Sequence, residues 1–143
     1  MGSYVALSEL KSALGITSST DDAFLTLAIG AAETAINDLC GRKFTADGAA
    51  SARIYRAQPY ICVTDDVSTL TGLVVKTDTN ADGTFDQTWA STDIQVEPLN
   101  NLVKGRSVNN LRAVGDYTFP VYGDGLASVE VTAKWGWPAV PDP

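Results

Sequence analysis

The sequence has 143 residues, a formal net charge of −7 and no histidine. This length fits one domain of ordinary size. The lack of His removes the commonest general base, the commonest metal ligand and every Ser-His or Cys-His nucleophile arrangement. The excess of 17 acidic over 10 basic residues also disfavours specific binding of a phosphate backbone. We therefore expect a single acidic domain that is not an enzyme.

Membrane insertion and export are not indicated. No stretch approaches the roughly 18 apolar residues that a membrane span needs, and Met1 is not followed by a basic segment and an apolar signal core. We expect a soluble cytoplasmic product in which Cys40 and Cys62 stay reduced.

Residues 1–44 carry helix signals. Ser8 predicts the start of a short helix that ends at Gly15. The Ser19–Asp22 capping box predicts a second helix over 20–40, whose apolar residues recur every three or four positions. The apolar side contains small residues that should let another helix approach closely: Ala31, Ala32 and Ala35. We expect these helices to pack as a small bundle.

Residues 45–137 predict a β-rich part, such as a hairpin or small antiparallel sheet. Its clearest strand is 129–135, where apolar and polar residues alternate. The irregular stretch 100–125 predicts a long loop. Other segments rich in β-branched and aromatic residues predict strands: Ala52–Ala57, Tyr60–Thr64, Leu73–Thr77 and Phe85–Trp89. The predicted fold class is α+β in one domain, with a C-terminal tail at 138–143.

The segment Asp78-Thr79-Asn80-Ala81-Asp82-Gly83 has the spacing of an EF-hand loop. The twelfth position, which should hold a bidentate Glu, is Trp89, and the flanks are strand-like rather than helical. A hairpin turn, built from residues that tolerate tight backbone geometry, is the alternative. The weak candidates for metal ligands are Asp78, Asn80, Asp82 and Asp86.

Two other kinds of charge cluster are open to more than one interpretation. Adjacent acids at 21–22 and 65–66 could act as glycosidase carboxylates, but neighbouring side chains point in different directions. Four basic residues could contact DNA phosphates or form a salt-bridged surface: Arg42, Lys43, Arg53 and Arg56.

The pattern of the whole chain resembles the tailed-phage head-tail connector family, also called adaptor or head completion proteins. The resemblance is carried, in order, by YVALSELKSALGI at Tyr4–Ile16, DDAFLTLAIGAAETAINDLCGRKF at Asp21–Phe44, the VVKTDTNADGTFDQTW hairpin at Val74–Trp89, DIQVEPLN, and FPVYGDG leading into VEVTAKWGWPAVP at Val129–Pro141.

The resemblance implies a virion structural protein of the phage neck, made in the cytoplasm of the host bacterium, with no cofactor and no catalytic residues. It also implies a homo-oligomeric ring, dodecameric by the family's pattern, between the portal protein and the next neck or tail-joining protein. Such a ring extends the channel through which DNA passes without specific binding, and it needs no membrane. In similar proteins WGWPAVP leads into a C-terminal helix, so we expect 138–143 to be such a lead-in.

Candidate assembly residues come from the predicted loop and the aromatic end of the last strand, because loops and aromatic side chains often supply contact area. They are Leu102, Val108, Leu111, Phe119, Tyr122, Trp135 and Trp137. Two other functions stay open, namely a calcium-binding β-rich adhesion or receptor-binding module and a glycosidase that uses an acid pair.

Overall fold

A computed structural model describes residues 4–140, which form two α-helices followed by a six-stranded antiparallel sheet. The elements are α1 (Leu7–Leu14), α2 (Asp22–Cys40), β1 (Ser51–Tyr55), β2 (Ile61–Thr77), β3 (Gln87–Thr88), β4 (Ile94–Glu97), β5 (Val108–Ala113) and β6 (Val129–Trp135). The α+β class is confirmed. The two α-helices of residues 4–140 form a hairpin rather than the predicted bundle. The expected C-terminal lead-in at 138–143 lies partly outside the described residues.

Both helices end at the predicted glycines. α1 begins at Leu7, before the predicted cap Ser8, and α2 begins at Asp22, after the predicted start at residue 20. Gly15 and Gly41 have left-handed φ values of 68° and 62°. This conformation ends each helix while the glycine N–H donates to a carbonyl oxygen of the last turn. α1 starts after Ala6, whose backbone N–H donates to the Glu9 carboxylate at 2.8 Å. α2 starts after Asp21, whose side chain makes no capping hydrogen bond. A carboxylate in the first turn of α1 thus replaces the predicted serine cap.

The last strand in chain order lies inside the sheet, because the strand order is β1-β6-β2-β5-β4, with β3 beside the end of β2. β2 is 17 residues long and joins the two strands predicted at 60–64 and 73–77. Its first part pairs with β5, and its middle and last parts pair with β6. The register shifts repeatedly between Val67 and Val74, and Gly72 in this stretch has a φ of 80°.

The predicted loop at 100–125 is wrong over six residues, because β5 lies within it and pairs with β2 on one side and β4 on the other. Val108 and Leu111 of β5 are both buried although they are three positions apart. Alternation is interrupted at Asn109 and Asn110, which are both half-buried, and the extra residues of the register shift lie in β2, between Val63 and Val67. The adjacent Asn109 and Asn110 therefore hide the alternation that would identify a strand.

The hydrophobic core belongs to the sheet. In β6, Val129, Val131, Ala133 and Trp135 are 2% exposed or less, which confirms the predicted alternation. The remaining core residues come from β2, β5 and the chain after β5: Cys62, Val67, Val75, Val108, Leu111, Ala113 and Phe119. In contrast, none of the described residues of α1 and α2 is buried.

Candidate functional site

The Asp78 segment closes a hairpin between β2 and β3, as the alternative interpretation predicted. The Asp78 side chain is 2% exposed and accepts backbone N–H groups from Asn80 at 3.1 Å, Ala81 at 2.8 Å and Gly83 at 2.8 Å. Burial favours the protonated acid, but the backbone donors outweigh it and hold the pKa of Asp78 below its ordinary value. Both carboxylate oxygens are thus engaged by the loop's own backbone.

The other three candidate ligands do not complete a cation site. Asn80 donates its side-chain amide to Asp82 at 3.0 Å, and Asp82 also accepts the backbone N–H of Thr84 at 2.7 Å. Asp86 is exposed. Within residues 4–140, no three His, Cys, Asp or Glu side chains are grouped as metal ligands. The residues do not fit calcium, and the calcium-binding module has no support.

The basic cluster forms a largely salt-bridged surface. Three of its four members lie beside carboxylates, in the pairs Arg42–Asp66 at 3.6 Å, Lys43–Asp47 at 2.5 Å and Arg53–Asp65 at 2.6 Å. The Arg53 guanidinium also lies over the Trp135 ring, 4.5 Å from its centroid. The fourth, Arg56, lies beside Gly125. These partners leave little free positive charge for a phosphate backbone.

Neither acid pair is arranged as two cooperating carboxylates. Asp65 is exposed and accepts the Tyr55 hydroxyl at 2.9 Å, while Asp66 points inward to other donors. Burial raises the pKa of Tyr55 to about 12, so this hydroxyl stays protonated and remains a donor. Asp22 forms an ion pair with Lys11.

Four of the seven candidate assembly residues lie in the core. Val108, Leu111, Phe119 and Trp135 are 2% exposed or less, so a neighbouring molecule cannot reach them in this fold. Phe119 stacks on the Trp89 ring at 4.6 Å. Val108 and Leu111 were not separated from surface residues because β5 was not predicted, whereas the alternation in β6 already marked Trp135 as inward-facing.

The other three candidates are half-buried. Leu102 packs against the core, and the Tyr122 hydroxyl donates to the Asp78 carbonyl oxygen at 2.7 Å. The Trp137 indole N–H donates to Asp66 at 3.2 Å. Each of these side chains already stabilises the subunit itself.

Trp137 belongs to a junction that attaches the helical hairpin to the sheet, which we call the Asp66 junction. Asp66 accepts hydrogen bonds from the Ser107 hydroxyl at 2.7 Å and from Trp137, and it pairs with Arg42. The Phe44 ring lies edge-on between Tyr4, at 6.2 Å, and Trp137, at 5.4 Å. Sequence reasoning missed this junction, although the WGWP motif marks one side of it.

Gly136 brings two backbone segments together at this junction. Its φ is 102°, and an added Cβ would lie 2.0 Å from the Thr45 carbonyl oxygen. The flanking backbone is fixed by hydrogen bonds from Asp47 N–H to the Trp135 carbonyl at 2.8 Å and from Trp137 N–H to the Lys43 carbonyl at 3.2 Å. Only glycine fits this close approach.

The helical hairpin presents large apolar side chains to solvent. Phe24 is 71% exposed, Leu27 70% and Leu39 89%. The prediction of a packed helix therefore holds only on the side of α2 that faces α1. Among residues 4–140, α2 alone is long and apolar enough by length and composition to cross a membrane. This corrects the expectation that no stretch approaches such a span, because Ala and Gly between larger residues raise the mean hydropathy without forming an uninterrupted run.

A sheet with its own core and helices with an uncovered apolar surface are typical of a subunit that contacts other molecules. The chain belongs to the phage gp6-like head-tail connector protein family, which it matches over residues 4–92. That range includes both helices and β1 to β3. No curated protein and no solved structure matches the chain. The family is a structural, non-enzymatic family, so the chain has a structural role in the neck of the virion.

Proposed function

We propose that the chain is a ring subunit that binds the portal protein on one side and the next head-tail joining protein on the other. The ring is a dodecamer and extends the channel for DNA. The observation that carries this proposal is the exposed apolar surface of the helical hairpin in a chain of the connector family. Large apolar patches with no cover in the monomer usually mark protein interfaces.

Charge supports a channel through which DNA passes without being bound. The chain carries a net charge of −7, and three members of its densest basic cluster lie beside carboxylates. A wall that does not collect phosphates lets DNA move, since phosphate contacts provide most of non-specific DNA affinity. The same charge opposes close packing of many identical copies.

Because of this repulsion, we expect isolated subunits to be mainly monomeric and to form the ring on the portal. A template that holds neighbours at high effective concentration makes many weak contacts stable together. The symmetry of the portal then sets the number of copies. Assembly on the portal also prevents a ring from closing before its subunits have reached the portal.

Sedimentation velocity of the purified chain over a concentration series, alone and mixed with the portal of the same phage, tests the proposal. We expect monomers alone and ring-sized additions to the portal in the mixture. A stable ring at micromolar concentration without portal would contradict the templating step and leave the neck role intact. No association with the portal at any ratio would contradict the placement beside it.

A further inference from the structure

A basic loop lies at the end of the sheet where β6 finishes and β5 begins. This loop, residues 98–107, connects β4 to β5 and contains Lys104 and Arg106 but no Asp or Glu. The Ser107 hydroxyl holds it there by donating to Asp66 at 2.7 Å, next to the position of β2 that pairs with both β5 and β6. The basic loop therefore lies at the end of the sheet to which the helical hairpin is attached.

The basic loop has a shape that its own hydrogen bonds define. The Asn101 side-chain amide donates to the Ser107 carbonyl oxygen at 2.9 Å, and the Arg106 N–H donates to the Asn101 carbonyl oxygen at 2.9 Å. Leu102 packs against the core and ties the loop to the sheet. A loop that is already ordered loses less conformational freedom when it binds a partner.

The tip of the basic loop combines apolar and positively charged side chains. Val103 is 89% exposed and Leu99 is 59% exposed. Lys104 and Arg106 are also exposed. Five of the ten basic residues of the chain form ion pairs, and within residues 4–140 these two do not. Two unpaired cations in a loop without acids favour a partner with negative charge.

The opposite end of the sheet is acidic. Segments 78–93 and 114–128 meet there, because the Asp78 N–H donates to the Ser128 carbonyl oxygen at 3.0 Å. The two segments, which we call the acidic end, contain six Asp and no Lys or Arg. The length of β6, about 20 Å at roughly 3.3 Å per residue, separates the acidic end from the end that holds the basic loop.

The acidic end also combines charge with exposed apolar surface. Asp86 and Asp116 are exposed, and neither carboxylate has a hydrogen-bond or ion-pair partner among residues 4–140. Tyr117 is 53% exposed, and its ring lies 5.8 Å from the Trp89 ring. Asp116 directly precedes Tyr117 and Asp86 precedes Trp89 by three residues, so both carboxylates lie near this ring pair. Val121 is exposed on the same end.

We propose that the basic loop of one copy binds the acidic end of the next copy, with Lys104 and Arg106 beside Asp86 and Asp116. This inference rests on the proposed function and names a contact between neighbours in the ring. The two surfaces differ and lie at opposite ends of one sheet, so the contact is head-to-tail. A head-to-tail contact that closes forms a ring, whereas a contact between identical surfaces stops at a dimer.

Charge complementarity selects a second copy as the partner. A net charge of −7 makes the chain repel itself as a whole, but this contact places its unpaired cations against its unpaired carboxylates. Exposed ion pairs contribute little each, so one such contact is weak. It nevertheless sets the orientation of approach. Many such contacts become stable together once the portal holds the copies side by side.

Charge reversal on each surface tests the contact. One variant carries Lys104→Glu and Arg106→Glu, and the other carries Asp86→Lys and Asp116→Lys. All four positions are exposed, so the melting temperatures should not change. In sedimentation velocity, each variant alone should lose about tenfold or more in assembly on the portal, because like charges then face each other. An equimolar mixture should recover assembly, because alternating copies again bring opposite charges together.

The same variants separate this contact from the effect of net charge. Reversal of the two cations adds four negative charges to the net charge of −7 and gives −11, whereas reversal of the two carboxylates gives −3. General repulsion would make the −3 variant assemble better than the unaltered chain, and the contact requires that it assemble worse. Normal or improved assembly of the −3 variant would overturn the contact. So would failure of the mixture on a portal where the unaltered chain assembles.

Cross-linking separates the contact from the ring function. A carbodiimide joins a Lys amine to a touching carboxylate as an amide, and the reagent takes up the water that is lost. In a concentrated equimolar mixture of ¹⁵N-labelled and unlabelled chain, Lys104 should link to Asp86 or Asp116 in peptides of mixed label. If these links form but the unaltered chain does not assemble on the portal, the ring function is wrong and the contact stands. Links from Lys104 only within one chain, or only to the portal, would overturn the contact.

DNA is a less suitable partner for the basic loop, because the exposed Leu99 and Val103 gain nothing from a phosphate backbone. Fluorescence anisotropy with labelled duplex DNA, at an ionic strength of about 0.15 M, should show no binding by the unaltered chain. Binding that Lys104→Glu and Arg106→Glu abolish would assign the loop to phosphate and overturn the contact between copies.

Discussion

The helical hairpin and the sheet differ in how much of their apolar surface they bury. Within residues 4–140, the 11 buried hydrophobic residues belong to the strands of the sheet or to the chain that follows β5, and none of those in α1 or α2 is buried. The sheet therefore stabilises itself. The hairpin depends on the Asp66 junction and on whatever covers its apolar surface, because short helices gain most of their stability from packing.

One chain therefore combines a sheet whose core is complete with a helical hairpin whose apolar surface is open to other molecules. A core that is complete in the monomer gives each copy the same shape before assembly. In the proposed ring, helices whose apolar surface is uncovered in the monomer would gain stability from their neighbours. Four pairs of measurements test whether the two regions differ in this way.

The largest effect is expected where the two regions meet. Gly136→Ala should destabilise the chain by about 4 kcal/mol or more, because its Cβ would overlap the Thr45 carbonyl oxygen. Gly72→Ala is the matched control, since Gly72 also has positive φ but an added Cβ meets nothing within 4 Å. It should cost only about 1–2 kcal/mol of backbone strain. Urea unfolding measures both, and equal losses would show that the close approach is not rigid.

A pair of Leu→Ala substitutions compares the two regions directly. Leu111→Ala removes a side chain that is 1% exposed in the sheet and should cost about 2–5 kcal/mol. Leu39→Ala removes one that is 89% exposed on α2 and should change the free energy of unfolding of the monomer by less than about 0.5 kcal/mol. A large loss for Leu39→Ala in the monomer would mean that the hairpin packs on its own chain.

Adjacent aspartates offer a test of the Asp66 junction. Asp66→Ala leaves the Ser107 hydroxyl and the Trp137 indole N–H without their acceptor and should cost about 1–3 kcal/mol. Asp65→Ala removes an exposed ion pair with Arg53 and should cost about 0–1 kcal/mol. Limited proteolysis of both variants shows whether the hairpin is released first. Identical cleavage patterns would argue against a specific role for Asp66 at the junction.

Lowering the pH should lower the free energy of unfolding, because the folded chain holds the pKa of two carboxylates below their ordinary values. Desolvation opposes the shift at Asp78, but its backbone donors dominate, and the Arg112 guanidinium lowers the pKa of Glu97. A depressed pKa adds stability that is present above the unfolded value, about 3.9 for Asp, and is lost as the pH falls through the folded value. Urea midpoints from pH 7 to pH 3 should therefore fall. The urea midpoint of Asp78→Asn should fall less over the same pH range. If it falls as much as that of the unaltered chain, Asp78 does not contribute to the pH dependence.

Local signals predicted the helices and the final strand well. Gly15 and Gly41 end α1 and α2 because a left-handed residue is a property of a few neighbouring positions. The alternation in β6 is equally local, and all its inward residues are buried. The Asp-rich turn was also assigned to a hairpin from the strand-like flanks and Trp89 alone.

Features that depend on distant pairing were not predictable. β5 was taken for a loop because Asn109 and Asn110 interrupt the alternation of its apolar residues, and its pairing with β2 and β4 is what makes it a strand. The candidate contact residues Val108 and Leu111 were misplaced for the same reason. Periodicity showed that α2 has an apolar side, but it could not show whether this chain or another one covers it. The Asp66 junction joins residues from five separate segments, so no local pattern marks it.

The position of β6 inside the sheet also sets the order in which the subunit can fold. Among the strands of residues 4–140, β1 pairs with β6 alone, so Ser51–Tyr55 gains this partner when the chain has been synthesised through Trp135. At bacterial rates the ribosome needs on the order of ten seconds to cover that interval. The helices can form early, whereas the sheet can be completed only after β6 is available to pair with β1 and β2.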